Sequence, residues 1–107
     1  MVPAHVLSVD IIMKGAVSLE KFQELTSPSL ISLNALKGAF DRKPCDYTYR
    51  PLTDSKGWLL RCVLMISVGK ERGKHLLQLY RDVVDLIQFQ LPECGIRAET
   101  SILNFSS

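Results

Sequence analysis

One run of eleven mostly apolar residues decides the fold: Trp58-Leu-Leu-Arg-Cys-Val-Leu-Met-Ile-Ser-Val68. The run is rich in β-branched and aromatic side chains, and from Cys62 onward it is apolar on both faces. A strand in the middle of a sheet has this pattern, so the run is predicted to be a central strand. Arg61 interrupts it, and it is far shorter than the roughly 20 residues that cross a bilayer as a helix. We therefore expect no transmembrane segment.

The residues before this run predict a hairpin partner for it. Residues 46–52 alternate tyrosine with threonine and arginine, and the pattern stops near Pro51. Because proline is tolerated only at sheet edges and strand ends, this strand is expected to be an outer one. Residues 53–57, Thr-Asp-Ser-Lys-Gly, supply the turn.

The N-terminal part of the chain predicts one more strand and a pair of helices. Residues 6–13 place Leu, Val, Ile and Met on alternate positions, which is the period of a half-buried strand. Ser18 is placed to cap a short helix, and Pro28 to begin a second one, where its missing N–H costs nothing. The second helix is expected to end at residues 41–44, Asp-Arg-Lys-Pro, since the residue before a proline disfavours helix.

The C-terminal part predicts a long helix and a last strand. From Lys70 to about Leu91, apolar residues cover about half of the helical circumference. Pro92 ends this helix and Gly95 allows the chain to reverse. Residues 96–105 are predicted to form the last strand, before a Ser-Ser tail.

The element order is therefore β-α-β-β-α-β, with the helix pair in the first α position. Its simplest packing is an α+β domain with a four-stranded, mainly antiparallel sheet and the helices on one face, as in ferredoxin-like folds. The chain contains no repeat, linker or low-complexity tract. Residues 1–107 are expected to form a single domain.

The composition fits a small globular protein: 107 residues, 47% of them hydrophobic, with 13 basic and 11 acidic side chains. Cys45, Cys62 and Cys94 are odd in number and widely spaced, without a Cys-x-x-Cys pair. Neither a disulfide framework nor a zinc ribbon is expected, so the thiols should be reduced. The N-terminus lacks a secretory pattern. An intracellular, reducing location, cytoplasm or nucleus, is predicted.

Positive charge is concentrated in the middle of the chain. Residues 37–81 carry ten basic and four acidic side chains, whereas residues 1–36 and 82–107 are each net negative. Such asymmetry favours an anionic partner, either nucleic acid or an acidic phospholipid surface. The alternative is a solvated loop and helix face whose charges serve solubility alone.

The densest basic group is Gly69-Lys-Glu-Arg-Gly-Lys-His75, a turn between the predicted central strand and the long helix. The first N–H groups of a helix lack internal partners and the helix dipole makes that end positive, so basic side chains there repel unless an anion lies nearby. The turn differs from the phosphate-binding loop of nucleotide hydrolases, because only three residues separate its glycines and His75 replaces the magnesium-binding hydroxyl. The candidate anion-binding residues are Lys70, Arg72, Lys74, His75, Arg42, Lys43 and Lys56.

Aromatic side chains predict a second kind of contact with nucleic acid. Tyr47, Tyr49 and Trp58 could form a stacking platform for bases if they share one face of the sheet. The alternative is that they cover a sheet edge or fill the core. Residues 56–63 lack the stacking aromatics of the RNA recognition motif at Leu60 and Val63.

Two residues near the end of the long helix are candidates for a subunit contact. Phe89 is flanked by glutamines on the polar side of the predicted helix, and Leu91 follows it. Small α+β domains gain stability by pairing, so a homodimer or higher oligomer is expected. Strand addition at a sheet edge is the simplest geometry for it.

No catalytic, cofactor-binding or metal-binding constellation is visible in the sequence. His5 and His75 have no spacing to the cysteines that would indicate a metal site. We therefore predict a non-enzymatic, self-associating binding or structural protein whose basic middle segment contacts RNA, DNA or an acidic membrane surface. So economical a chain would also suit a viral accessory or virion structural protein. The alternative is a small enzyme or ligand-binding module that recognises a phosphorylated small molecule in an apolar pocket at the Gly69–Gly73 turn.

Overall fold

Six elements follow one another in the predicted order in the computed structural model, which describes residues 2–103. They are β1 (Ala4–Lys14), α1 (Leu19–Gly38), β2 (Asp46–Pro51), β3 (Gly57–Ser67), α2 (Lys70–Gln90) and β4 (Gly95–Leu103). The last strand was predicted to continue to Phe105. That residue and the Ser-Ser tail lie outside the described residues.

The four strands form one antiparallel sheet in the order β2-β3-β1-β4. The predicted central strand is confirmed, because β3 lies between β2 and β1, and the predicted outer strand is confirmed at β2. β1 pairs with β3 from Ala4 to Lys14 and with β4 from Ala4 to Ile12. This connectivity and strand order are those of a ferredoxin-like fold.

Both helices pack on the same face of the sheet, as predicted. α1 lies over β3, and α2 lies over β1 and β4. The Tyr80 hydroxyl of α2 donates a buried hydrogen bond of 3.1 Å to the carbonyl oxygen of His5 in β1. The core between the helices and the sheet includes Leu7, Val9, Ile11, Leu60, Cys62, Leu64, Ile66, Phe22, Leu33, Leu76, Tyr80 and Ile87.

The predicted helix pair is wrong, because α1 is one helix of 20 residues with Pro28 inside it. Proline removes one N–H from the helix and crowds the preceding turn, so an interior position is unfavourable. Here a continuous buried stripe crosses the proline at spacings of three and four residues, and its packing on the sheet outweighs that cost. The stripe consists of Phe22, Thr26, Ser29, Leu33 and Lys37.

The other face of the sheet is not covered by either helix, although the apolar pattern of β3 indicated cover on both sides. Met65 is 43% exposed, and Val63 is only half-buried. Because successive side chains of a strand point to opposite faces, the register assigns this face to alternate residues of each strand. We call it the open face: Val6, Ser8, Asp10 and Ile12 of β1; Leu59, Arg61, Val63 and Met65 of β3; Asp46, Thr48 and Arg50 of β2; Arg97, Glu99 and Ser101 of β4.

Substitution of the two glycines with positive φ tests the turn geometry at the C-terminal end of β1. Gly57 has φ +135°, and a Cβ there would overlap the carbonyl oxygen of Met13, whereas Gly15 has φ +118° with open space around it. Gly15→Ala should cost about 1–2 kcal/mol of unfolding free energy through backbone strain alone. Gly57→Ala should cost clearly more, because steric overlap adds to the strain. Urea unfolding measures both; equal losses would contradict the packing described at Gly57.

Candidate functional site

The antiparallel connectivity brings two basic segments to one end of the molecule. α1 ends at Gly38, β3 ends at Ser67 and α2 begins at Lys70, and all three positions lie at the same end of the sheet. We call residues 37–43 and 70–75 the basic end. It carries six basic and two acidic side chains.

A cation–π contact joins the two segments of the basic end. The guanidinium of Arg72 lies over the ring of Phe40, 5.1 Å from its centroid. Phe40 belongs to the turn that follows α1, and Arg72 to the first turn of α2. The loop after α1 is further anchored because the Asn34 side-chain oxygen accepts a 2.8 Å hydrogen bond from the Cys45 N–H.

One carboxylate of the basic end is engaged by its neighbours. Asp41 accepts a 2.8 Å hydrogen bond from the backbone N–H of Lys43 and a 3.0 Å hydrogen bond from the ammonium of Lys37. These two donors lower the pKa of Asp41 below its ordinary value. Lys37 is buried and paired in this way. The exposed positive charge of the loop is therefore supplied by Arg42 and Lys43.

The predicted Gly69–Gly73 turn is helical in the structure. α2 begins at Lys70, and the Gly73 N–H already donates to the Gly69 carbonyl over 2.8 Å. Gly69 is the N-cap and provides no side-chain acceptor for the first N–H groups. Lys70, Arg72, Lys74 and His75 are exposed on the first turns of the helix. Four predicted anion-binding residues thus lie at the positive end of a helix dipole.

Gly73 allows close packing of α2 on β1. It is buried, and a Cβ at this position would lie 2.7 Å from the imidazole of His5 in β1. His5 is itself 4% exposed, and neither of its ring nitrogens has a hydrogen-bond partner among residues 2–103. The glycine lets α2 approach β1 closely enough to bury this ring.

A groove of about 730 Å³ runs beside the basic end, between the loop after α1 and the last residues of β3. Its charged groups are two lysines and two aspartates, Lys37, Lys43, Asp41 and Asp46, while Phe40, Pro44, Val63, Met65 and Ile66 contribute apolar walls. β2 begins opposite Val63, so residues 64–67 of β3 extend past it along this groove. The two glycines of the predicted phosphate turn are not part of its lining.

Lys56 lies away from the other predicted anion-binding residues. It precedes β3 in the turn after β2, whereas the basic end lies beyond the last residue of β3. An eleven-residue strand is about 35 Å long, so the structure does not bring Lys56 into the same site. The signal for this separation was present in the sequence, because Lys56 and Lys70 flank the predicted central strand and a strand of that length separates its two ends.

The three predicted stacking aromatics share one face of the sheet, but it is the face that the helices cover. Tyr49 is opposite Leu60, and its hydroxyl is hydrogen-bonded to the Thr26 side chain over 2.8 Å. The indole N–H of Trp58 donates to the carbonyl oxygen of Val17 over 2.7 Å. Tyr47 is exposed at the edge. These contacts favour the alternative, in which the aromatics fill the core and cover an edge.

Of the two predicted subunit contacts, only Phe89 is accessible. Phe89 is 84% exposed on α2, whereas Leu91 is 3% exposed and belongs to the core. The assignment of Leu91 to a subunit contact is therefore wrong. The chain leaves the helix at Leu91, so its side chain turns into the interior instead of continuing the surface of α2.

The three cysteines lie in environments that disfavour the thiolate. Burial raises the pKa of all three thiols, that of Cys62 to about 12, so each is a poor nucleophile near neutral pH. All three are free cysteines, and residues 2–103 contain no group of three His, Cys, Asp or Glu side chains that could hold a metal ion. In the same range, neither helix combines the length and the apolar character needed to cross a membrane.

A charged cluster that was not predicted from the sequence lies in the middle of the open face. Asp10 accepts two hydrogen bonds from Arg61, 2.9 Å from Nε and 3.1 Å from Nη2, and lies 3.6 Å from Arg97. Its side chain is only 12% exposed. The signal was present in the pattern, since Asp10 is a charged residue on the second face of an otherwise apolar strand and Arg61 interrupts the apolar run of β3.

Solved structures that resemble this chain include two designed proteins. The de novo designed protein Foldit4 covers 92% of this chain and 96% of its own, with 11% sequence identity and a TM-score of 0.56. The de novo designed protein LFR1 1, with ferredoxin fold, covers 100% of this chain and 91% of its own, with 16% identity and a TM-score of 0.44. No protein-family model matches the sequence, and no curated protein matches it. The likeness to Foldit4 shows the fold alone.

Substitution of Gly73 tests the close approach of α2 to β1. Gly73→Ala should destabilise the protein by about 1–3 kcal/mol, because overpacking against the buried His5 ring exceeds the gain in helix propensity. Gly38→Ala is the matched control, since Gly38 also lies in a helix but has open space around it. Thermal unfolding compares the two variants. A Gly73→Ala protein as stable as Gly38→Ala would contradict the packing of His5 against α2.

Proposed function

We propose that this protein is a non-enzymatic, self-associating binding protein whose basic end contacts an anionic polymer, with RNA as the first candidate. The observation that supports the proposal most directly is the Arg72–Phe40 contact, which holds the two basic segments together. Segments that are about thirty residues apart in the sequence thereby present one positive surface.

Five side chains supply the exposed charge of this surface. They are Arg42, Lys43, Lys70, Arg72 and Lys74, all of them solvent-exposed. Exposed cations spread over two segments suit the phosphates of a flexible strand, because each phosphate contact releases a counterion and adds to affinity without base readout. This arrangement therefore implies a partner that the protein recognises by its negative charge.

The start of α2 adds to the same argument. Its first N–H groups have no side-chain acceptor from the Gly69 N-cap, and its dipole and three basic side chains all place positive charge there. Glu71 is the one acidic residue in the first turn. A bound phosphate would relieve the repulsion among these groups.

The groove beside the basic end supports a second candidate function, recognition of a phosphorylated small molecule. Its volume of about 730 Å³ is in the range of ligand pockets, and it combines apolar walls with Lys43. It lies next to the loop after α1 and not at the Gly69–Gly73 turn, where such a pocket was predicted.

Binding to a labelled, mixed-sequence RNA over a salt series tests the polymer proposal. Five phosphate contacts predict a slope of log K against log[salt] of about −3.5 for a single strand. Reversal of three charges in Lys70→Glu, Arg72→Glu and Lys74→Glu should weaken binding by roughly 10- to 100-fold, because three phosphate contacts are replaced by repulsion. Fluorescence anisotropy measures both quantities.

The matched control reverses three exposed lysines at the opposite end of the molecule: Lys14→Glu, Lys21→Glu and Lys56→Glu. It changes the net charge by the same amount, so it should retain most of the affinity. Equal losses in the two triple variants would show that binding depends on net charge and not on the basic end. If RNA does not bind at low salt but acidic liposomes do, the anionic partner is a phospholipid surface. If inorganic phosphate competes with the RNA, the result favours the second candidate function, recognition of a phosphorylated small molecule in the groove.

A further inference from the structure

The open face presents apolar side chains on both sides of its charged cluster. Towards the basic end lie Val6, Val63 and Met65, and towards the other end lie Ile12 and Leu59. Met65 is 43% exposed, on the part of β3 that extends past the start of β2. Residues 2–103 provide no helix to cover this face. We propose that a second copy of this chain packs on it, sheet against sheet, in a two-fold dimer.

The charges of the open face fit a copy of itself better than a polyanion. Three arginines and three acidic residues lie on it and cancel one another, and Lys14 at the end of β1 adds a single positive charge at the margin of this face. Two copies therefore meet with little net repulsion, and a strand of phosphates finds little excess of positive charge there. The six residues are Arg50, Arg61, Arg97, Asp10, Asp46 and Glu99.

The orientation of the pair follows from the central cluster. Asp10 lies directly opposite Arg61 in the register of β1 and β3. A two-fold axis parallel to the strands and between β1 and β3 places each Arg61 over Asp10 of the second copy. An axis across the strands through the same row would place Asp10 against Asp10, which is unfavourable in a site shielded from water.

The same axis also matches the apolar side chains, although it brings Asp46 of β2 near Glu99 of the second copy at the margin of the face. Met65 is opposite Val6, and Leu59 is opposite Ile12, so each β3 residue meets the β1 residue of the other copy. Asp10 loses little hydration on pairing, because its side chain is already only 12% exposed in one copy. The desolvation cost that usually opposes a charged interface is therefore small at this carboxylate.

The area of the face is sufficient for a weak specific dimer. Four strands at a spacing of about 4.8 Å and eight or nine residues at about 3.4 Å give about 550 Å² per copy. The pair then buries about 1,100 Å², close to the lower end of specific interfaces. Aligned sheets pack about 10 Å apart, which leaves both helical layers on the outside.

Sedimentation equilibrium of the full chain tests the proposal. The wild type should show a monomer–dimer equilibrium with a Kd in the micromolar range, which is about −8 kcal/mol or weaker. Met65→Glu on β3 and Ser8→Lys on β1 should each raise the Kd at least about tenfold, because each places a charge in the interface. Ser8→Lys keeps the test valid if Met65→Glu does not fold, and circular dichroism checks the fold of both.

Phe89→Glu is the matched control, because it adds the same charge at an exposed apolar residue on α2. It should leave the Kd within about twofold of the wild type. A wild type that is monomeric at millimolar concentration overturns the proposal, as does a dimer that Phe89→Glu dissociates and the two open-face variants do not. A monomer whose RNA binding is lost in both open-face variants assigns the face to RNA and also overturns it.

Discussion

The antiparallel pairing of β1 with β3 over eleven residues is the constraint on which the rest of the structure depends. Side chains alternate between the two faces of a strand, so one register places Leu7, Val9 and Ile11 against the helices and leaves Ser8 and Asp10 on the other side. A slip of one residue would bury the carboxylate of Asp10 in the core and expose three apolar side chains. The observed register places Arg61 directly opposite Asp10, where the two side chains form a salt bridge of 2.9 Å.

The same pairing decides which charges meet. Because β1 and β3 run in opposite directions, the end of α1 and the start of α2 lie at one end of the sheet, and the turn after β2 lies at the other. The basic middle of the sequence is therefore divided in space: Arg42 and Lys43 join Lys70 and Arg72, while Lys56 does not. Charge counted along the chain indicated an anionic partner but not which residues could contact it together.

Much of the fold could be predicted because the spacing of apolar residues, and the residues that begin or end helices and strands, are local properties of the sequence. Alternation placed the strands, and a half-apolar helical circumference placed α2. What the sequence could not show depends on distant contacts. The packing of one stripe on the sheet keeps Pro28 inside a helix, and Leu91 enters the core after α2 ends. An apolar central strand also gives no sign of whether its second face is covered within the same chain, as Met65 illustrates.

The positions of the two surfaces bear on which partner suits the basic end. The groove beside it shares Val63 and Met65 with the open face, so a small ligand in the groove and a second copy on the open face would compete for those side chains. The five exposed basic residues lie outside the open face and stay accessible in a dimer. A two-fold axis parallel to the strands also keeps both basic ends at the same end of the pair, where one strand of phosphates could contact both copies and bind with the advantage of a second, tethered site. Dimerisation through the open face is therefore compatible with binding of a polymeric anion at the basic end, and it opposes binding of a small anion in the groove.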